Sequence, residues 1–202
     1  MLNFEEGKKA VIYARKNIEQ KVKESDIQTS DLKDVFNEKQ GAFVTIHTYP
    51  DHNLRGCIGI PLPVMMLKEA IAEGARSATN DPRFPPLAEN ELDKIIIEVT
   101  ILTKPEIIKI NQPKDYIDNI EIGRDGLIVE RGFYKGLLLP QVPVEQQWDK
   151  EEYLSNTCMK AGLMPDAWFD EDIIISKFQG QIFTEISPNG DIKEKKIDGS
   201  EC

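Results

Sequence analysis

Histidine and cysteine are scarce in this chain, with two and three among 202 residues. Structural zinc sites need four nitrogen or sulfur ligands at short spacings, and Cys57, Cys158 and Cys202 share no such spacing with His47 or His52. An odd set of scattered thiols also argues against a disulfide framework and for a reducing compartment, the cytoplasm. No run of about 18 apolar residues occurs, and residues 1–30 have no charged n-region leading into an apolar stretch, so neither a membrane span nor a signal peptide is predicted. A basic excess is lacking too. The formal net charge of −10 opposes any general affinity for nucleic acid or anionic membrane. Missing as well are a glycine-rich phosphate loop with lysine, paired histidines around a glutamate, a G-x-S-x-G elbow and paired C-x-x-C, which removes nucleotide-hydrolase, zinc-protease and dinucleotide readings.

What is present suits a folded globular protein: 40% hydrophobic and 30% charged residues. At this length the chain can bury one core, or two small lobes sharing one.

Helical spacing of Phe4, Val11, Ile18 and Val22, opened by Asn3 and Glu6 as a capping box, predicts a helix over 3–23. A short helix follows Ser30, with Leu32, Val35 and Phe36, and ends at Gly41. Strands 42–49 and 54–60 form a hairpin across Pro50-Asp51-His52-Asn53. Pro61 and Pro63 open a helix over 63–79, and the proline-rich run 81–87 is a stiff loop. Strand 94–102 and a helix over 111–119 come next. Residues 120–122 and 127–130 pair across Gly123-Arg124-Asp125-Gly126, and 136–142 is a further strand. A helix over 145–161 closes at Gly162, strands 173–178 and 181–186 break at Gly180, and Pro188-Asn189-Gly190 turns into a final strand. Residues 193–202 read as a mobile tail. The order of elements favours α+β with a largely antiparallel sheet and flanking helices over a doubly wound sheet.

The densest chemistry lies in Leu54-Arg55-Gly56-Cys57-Ile58-Gly59-Ile60. Alternation along a strand puts Arg55 and Cys57 on one face and Leu54, Ile58 and Ile60 on the other. A guanidinium beside a thiol favours the thiolate, and Gly56 and Gly59 leave room for another molecule. The alternative is that Cys57 is a small hydrophobe and Arg55 a surface residue. Hairpin register decides whether His47 is a base for Cys57: a two-residue loop sets Ile46 opposite Cys57, and a three-residue loop sets His47 there. The three-residue loop is favoured, because it gathers Val44, Ile46, Leu54, Ile58 and Ile60 on one apolar face. Arg83 and Asp81 sit on the stiff loop, where they suit a pocket rim. Glu98, inside an apolar strand, calls for a partner such as Arg55 or Arg83.

Together, Leu54-Arg55-Gly56-Cys57-Ile58-Gly59, Phe43-Val44-Thr45, Asp81-Pro82-Arg83-Phe84-Pro85-Pro86-Leu87, Ile97-Glu98-Val99, Asp125-Gly126-Leu127, Gly136–Val142 and Lys160-Ala161-Gly162-Leu163 resemble the AMMECR family, from the first helix to about Glu185. The resemblance implies one AMMECR-like domain over 1–202, two lobes or intertwined subdomains around a cleft, an intracellular location, and a functional site at the hexapeptide. It brings no settled activity or cofactor. Some members are associated with MEMO-type and radical-SAM proteins. The family pattern does not demand histidine at position 47.

Two readings follow. In one, an enzyme uses Cys57 as nucleophile or redox thiol, Glu98 as orienter or acid/base, and Arg55 and Arg83 to anchor an anionic group, with Gly56, Gly59 and His47 lining the site and no metal. In the other, a noncatalytic module presents Leu54–Gly59 to a protein or small anion. A nucleic-acid role would need Arg55, Arg76 and Arg83 to cluster. A homodimer is compatible with either reading.

Overall fold

The computed structural model describes residues 1–25, 32 and 34–195. The chain divides into two compact units: Met1–Leu102 with the stretch from Gln181, and Thr103–Gly180. Both combine antiparallel strands with helices, the expected α+β class.

In the first unit, α1 (Phe4–Lys23) begins as its sequence predicts. Asn3 Oδ1 accepts from Glu6 N–H at 2.9 Å, and Glu6 returns a carboxylate to Asn3 N–H at 2.7 Å. Its buried stripe is Ala10, Val11, Ala14 and Ile18, while Phe4 stays largely exposed. The strands are β1 (Gly41–Thr48), β2 (Leu54–Ile60) and β3 (Ile95–Leu102), with β1 in the middle and both pairings antiparallel. α2 (Leu67–Ala78) packs on them, and Ala42, Val44, Ile46, Ile95, Ile97, Val99 and Ile101 face the core it shares with α1. α2 starts four residues later than predicted. The prolines hold Pro61–Met66 out of the helix, and its first turn is closed by Glu69, which accepts from Met66 N–H at 3.1 Å. Ser30, where the second helix was expected to begin, lies outside the described residues, and Asp34–Asn37 form a single 3₁₀ turn that buries Phe36.

In the second unit, β5 (Asp125–Arg131) lies between β6 (Tyr134–Leu138) and the first half of β7 (Ile174–Glu185), which also pairs with the two-residue β4 (Glu106–Ile107). Its helices are α3 (Asp115–Asn119), α4 (Gln141–Glu145) and α5 (Lys150–Lys160). Tyr153, Leu154, Cys158 and Trp168 pack with Leu127, Val129 and Ile175 in its core.

Five expectations are corrected here. Residues 120–122 do not pair with 127–130: the buried Asp125 carboxylate accepts from Glu121 N–H at 3.0 Å, which closes a turn, and β5 pairs with β6 instead. The strand expected over 136–142 ends at Leu138, and residues 141–145 are helical. The helix expected over 145–161 is divided, because Gln147 takes a positive φ of 57° and Asp149 caps α5 afresh, accepting from Glu152 N–H at 2.8 Å. Gly180 does not break its strand, which runs on into the first unit and pairs there with β8 (Ile192–Lys195) beyond the predicted turn. Residues 193–195 therefore belong to a strand, and the rest of the expected tail lies outside the described residues.

Candidate functional site

The β1–β2 connection is longer than the expected loop. Five residues, Tyr49–Asn53, separate the strands, with Thr48 N–H bonded to Asn53 O at 2.9 Å and His52 at φ 55°. A bulge follows at Ile46/His47. These two features set a register that neither simple loop gives: Thr45 lies opposite Cys57, Ile46 opposite Gly56 and His47 opposite Leu54. His47 is therefore not the direct neighbour of Cys57. The bulge also brings Leu54 onto the face of its partner His47, away from the core, and leaves it 40% exposed.

Thr45 also lies opposite Glu98 on β3, so Cys57, Thr45 and Glu98 form one polar row across three strands. Thr45 Oγ1–H donates to Cys57 Sγ at 3.3 Å. The expected partner of Glu98, Arg55 or Arg83, is not what it has; among the described residues it pairs with Lys195 Nζ at 3.8 Å, supplied by β8. His47, one pair along the same face, has a buried Nδ1 with no hydrogen-bond partner among the described residues. Burial pushes its pKa below the ordinary value, with Glu98 opposing, so the imidazole is neutral at pH 7.

Arg55 does not activate the thiol. Its Nε and one terminal nitrogen hold Glu91 bidentately at 2.8 and 3.0 Å. That pairing keeps the Glu91 carboxyl below its usual range. Arg83 is held in the same manner by Asp81 at 3.0 and 2.6 Å. Cys57 itself is half-buried, and burial pushes its pKa up, more than the Thr45 hydrogen bond and the Arg83 charge bring it down. The group present at neutral pH is a thiol.

The Asp81–Arg83 pair has a second task. Among the described strands β2 pairs only with β1, and Cys57, opposite Thr45, directs its N–H and C=O outward to Asp81 Oδ2 at 2.9 Å and Arg83 at 3.3 Å. One acceptor and one donor on a stiff loop thus replace a neighbouring strand at this edge position. Phe84 follows, with both guanidiniums near its ring: their Cζ atoms lie 5.9 Å (Arg55) and 5.7 Å (Arg83) from the ring centroid.

The glycines are explained from within. A Cβ on Gly56 would lie 2.3 Å from the Ala78 carbonyl oxygen at the end of α2, and one on Gly59 would lie 2.5 Å from the Phe43 ring. Both spaces are already filled by the protein. Sequence reasoning missed Thr45 and Glu91 as members of the site. Thr45 needs the register, and Glu91 was detectable only as the carboxylate three residues after Ala88, whose N–H it accepts at 2.8 Å. Among the described residues no group of histidine, cysteine and carboxylates could hold a metal ion, and no helix is long and apolar enough to cross a membrane.

Residues 11–183 match the AMMECR1 family model. A protein of Methanocaldococcus jannaschii is 57% identical over 198 residues, covering 98% of both chains, and one of Methanococcus aeolicus is 53% identical over 196 residues, covering 96% of this chain and 98% of the relative. The crystal structure of an uncharacterized protein from Pyrococcus horikoshii superposes with a TM-score of 0.85 at 47% identity, over 96% of this chain and 98% of that one. With the family model matched over most of its length and relatives more than half identical over nearly all of it, the chain belongs to the AMMECR1 family.

Proposed function

We propose that the chain is a noncatalytic recognition module of the cytoplasm, and that Leu54–Gly59 with Arg83 and Phe84 forms its platform for a protein partner. The observation that carries this reading is that both arginines of the platform are already closed by their own carboxylates, Glu91 and Asp81. A small anion would have to displace a bidentate carboxylate to bind either. A protein surface need not, because the aromatic ring near two carboxylate-held guanidiniums, with the exposed Leu54 at the start of β2, offers contact area of the type that dominates protein interfaces. Holding these side chains in place beforehand lowers the entropy lost on association.

The row Cys57, Thr45 and Glu98, with His47 one pair away, favours a second reading, an enzyme. There Cys57 would be the reacting group and Glu98 its acid/base partner, with Arg55 and Arg83 anchoring substrate. Against it stand the protonated thiol and the closed arginines. A photo-cross-linking residue at position 54, with position 107 as control, separates the two in cells. The recognition reading predicts capture of one discrete protein at position 54, retained in Cys57→Ala and lost in Phe84→Ala. Loss of capture in a folded Cys57→Ala variant, with labelling of Cys57 by electrophiles at neutral pH in the parent, would establish the enzyme instead.

A further inference from the structure

Five of the large apolar side chains exposed in the second unit, Phe133, Tyr134, Met159, Met164 and Phe169, belong to segments that meet at one end of it. The Tyr134 ring lies 3.6 Å from the position of a Cβ on Gly162, just beyond α5. Arg131, at the base of the β5–β6 turn, pairs with Asp170. Trp168 donates Nε1–H to Ser155 Oγ at 3.3 Å, one helical turn before Met159, and Phe169 stacks on Trp168 with centroids 3.7 Å apart. Single exposed apolar residues need no explanation, but five gathered around one end do. The fold does not require them. The two-residue turn needs Gly132, which takes φ 59°, and asks nothing of Phe133, which is fully exposed.

The segment that carries Met164 and Phe169 is acidic, while Arg131 and Lys135 on the facing strands are paired with Asp170 and Glu130 and Lys160 follows Met159. Residues 164–172 carry Asp166, Asp170, Glu171 and Asp172 and no lysine or arginine. Asp170 is taken by Arg131; the other three are exposed. A second copy of this chain would bring the same carboxylates, and a net charge of −10, to the contact. We propose that this end of the unit docks a basic amphipathic segment of another protein, its apolar side chains seated on Phe133, Met164 and Phe169 and its lysines or arginines opposite Asp166, Glu171 and Asp172. The two methionines suit such a contact, since an unbranched thioether repacks around differing apolar shapes. This surface shares no residue with the platform around Cys57, and the proposal stands independently of it.

Calorimetric titration with a synthetic amphipathic helix of leucine and lysine tests the proposal, with a leucine and glutamate peptide of the same pattern as control. The full chain is expected to bind the basic peptide and not the acidic one. Phe133→Ser/Met164→Ser should weaken binding at least tenfold with an unchanged circular dichroism spectrum. Asp166→Asn/Glu171→Gln/Asp172→Asn should weaken it several-fold and flatten its salt dependence, while Asp51→Asn/Glu89→Gln/Asp93→Asn changes neither. Equal losses in the two charge-removed variants would reduce the binding to general attraction by an acidic protein and overturn the proposal. So would sedimentation showing a dimer of the parent that Phe133→Ser dissociates, because the occupant would then be a second copy.

Discussion

At Cys57, burial, the Thr45 hydroxyl and the Arg83 charge act on one thiol, and burial prevails. The residues around it are held as tightly as the thiol itself. With the Ala78 carbonyl oxygen 2.3 Å from where its Cβ would stand, Gly56→Ala should force β2 away from α2 and cost about 1–3 kcal/mol in urea unfolding. Asp81 is buried and accepts from Cys57 N–H and Arg83, and the Arg83 hydrogen bonds hold its carboxyl well below the usual carboxylate range. A carboxyl so lowered stabilises the fold fully above its unfolded pKa of about 3.9, and that contribution is lost as the pH falls toward the folded value. Asp81→Ala should therefore cost about 1–3 kcal/mol at pH 7, where it strands the Cys57 N–H, and should remove part of the stability lost between about pH 4 and pH 2. Urea midpoints of both proteins across that range measure the difference.

Among the elements, α1 is tied into its unit by one buried contact as well as by its apolar stripe. Arg15 reaches Glu185 through Nε at 2.6 Å and the Ile95 carbonyl at 2.8 Å, while Glu185 also accepts from Ile97 N–H at 2.9 Å. Arg15→Ala leaves a buried carboxylate without its cation and should lower stability by about 3–5 kcal/mol, whereas Arg15→Met/Glu185→Gln should lose less than the single change. Denaturant midpoints of the two variants provide the comparison. What the sequence made readable at this scale was whatever local chemistry dictates. The Asn3–Glu6 box started α1, and the prolines of 81–87 kept that stretch out of helix and strand. Where pairing depends on distant segments, the reading failed. The partner of Glu98 arrives on β8, nearly a hundred residues later, and the divided helix at 141–160 turns on the backbone of Gln147. The register of Cys57 could not be read because it depends on a five-residue turn and a bulge together, and alternation alone contains neither. The shared face of Thr45, Glu98 and Cys57 was legible only in part, since strand parity put Thr45 and His47 on one side and the offset decided which of them meets the thiol.

For the molecule as a whole, the acidic balance has a direct consequence. Arg55 and Arg83 are closed by carboxylates and Arg76 donates to Asn17 at 2.9 Å, so the cationic cluster that nucleic-acid recognition would need is not assembled from these three. Duplex DNA at physiological salt should produce no saturable change in fluorescence anisotropy; binding with a steep salt slope would contradict that expectation. The proposed recognition role requires that Cys57 be a protonated thiol at neutral pH. Its most direct test is the pH dependence of iodoacetamide alkylation at Cys57, read by peptide mass against the unfolded protein. In the folded protein the rate at Cys57 should rise only above the free-cysteine pKa of about 8.5 and stay below the unfolded rate at pH 7. A midpoint well below 8.5, with a folded rate exceeding the unfolded one, would contradict it and make Cys57 a nucleophile.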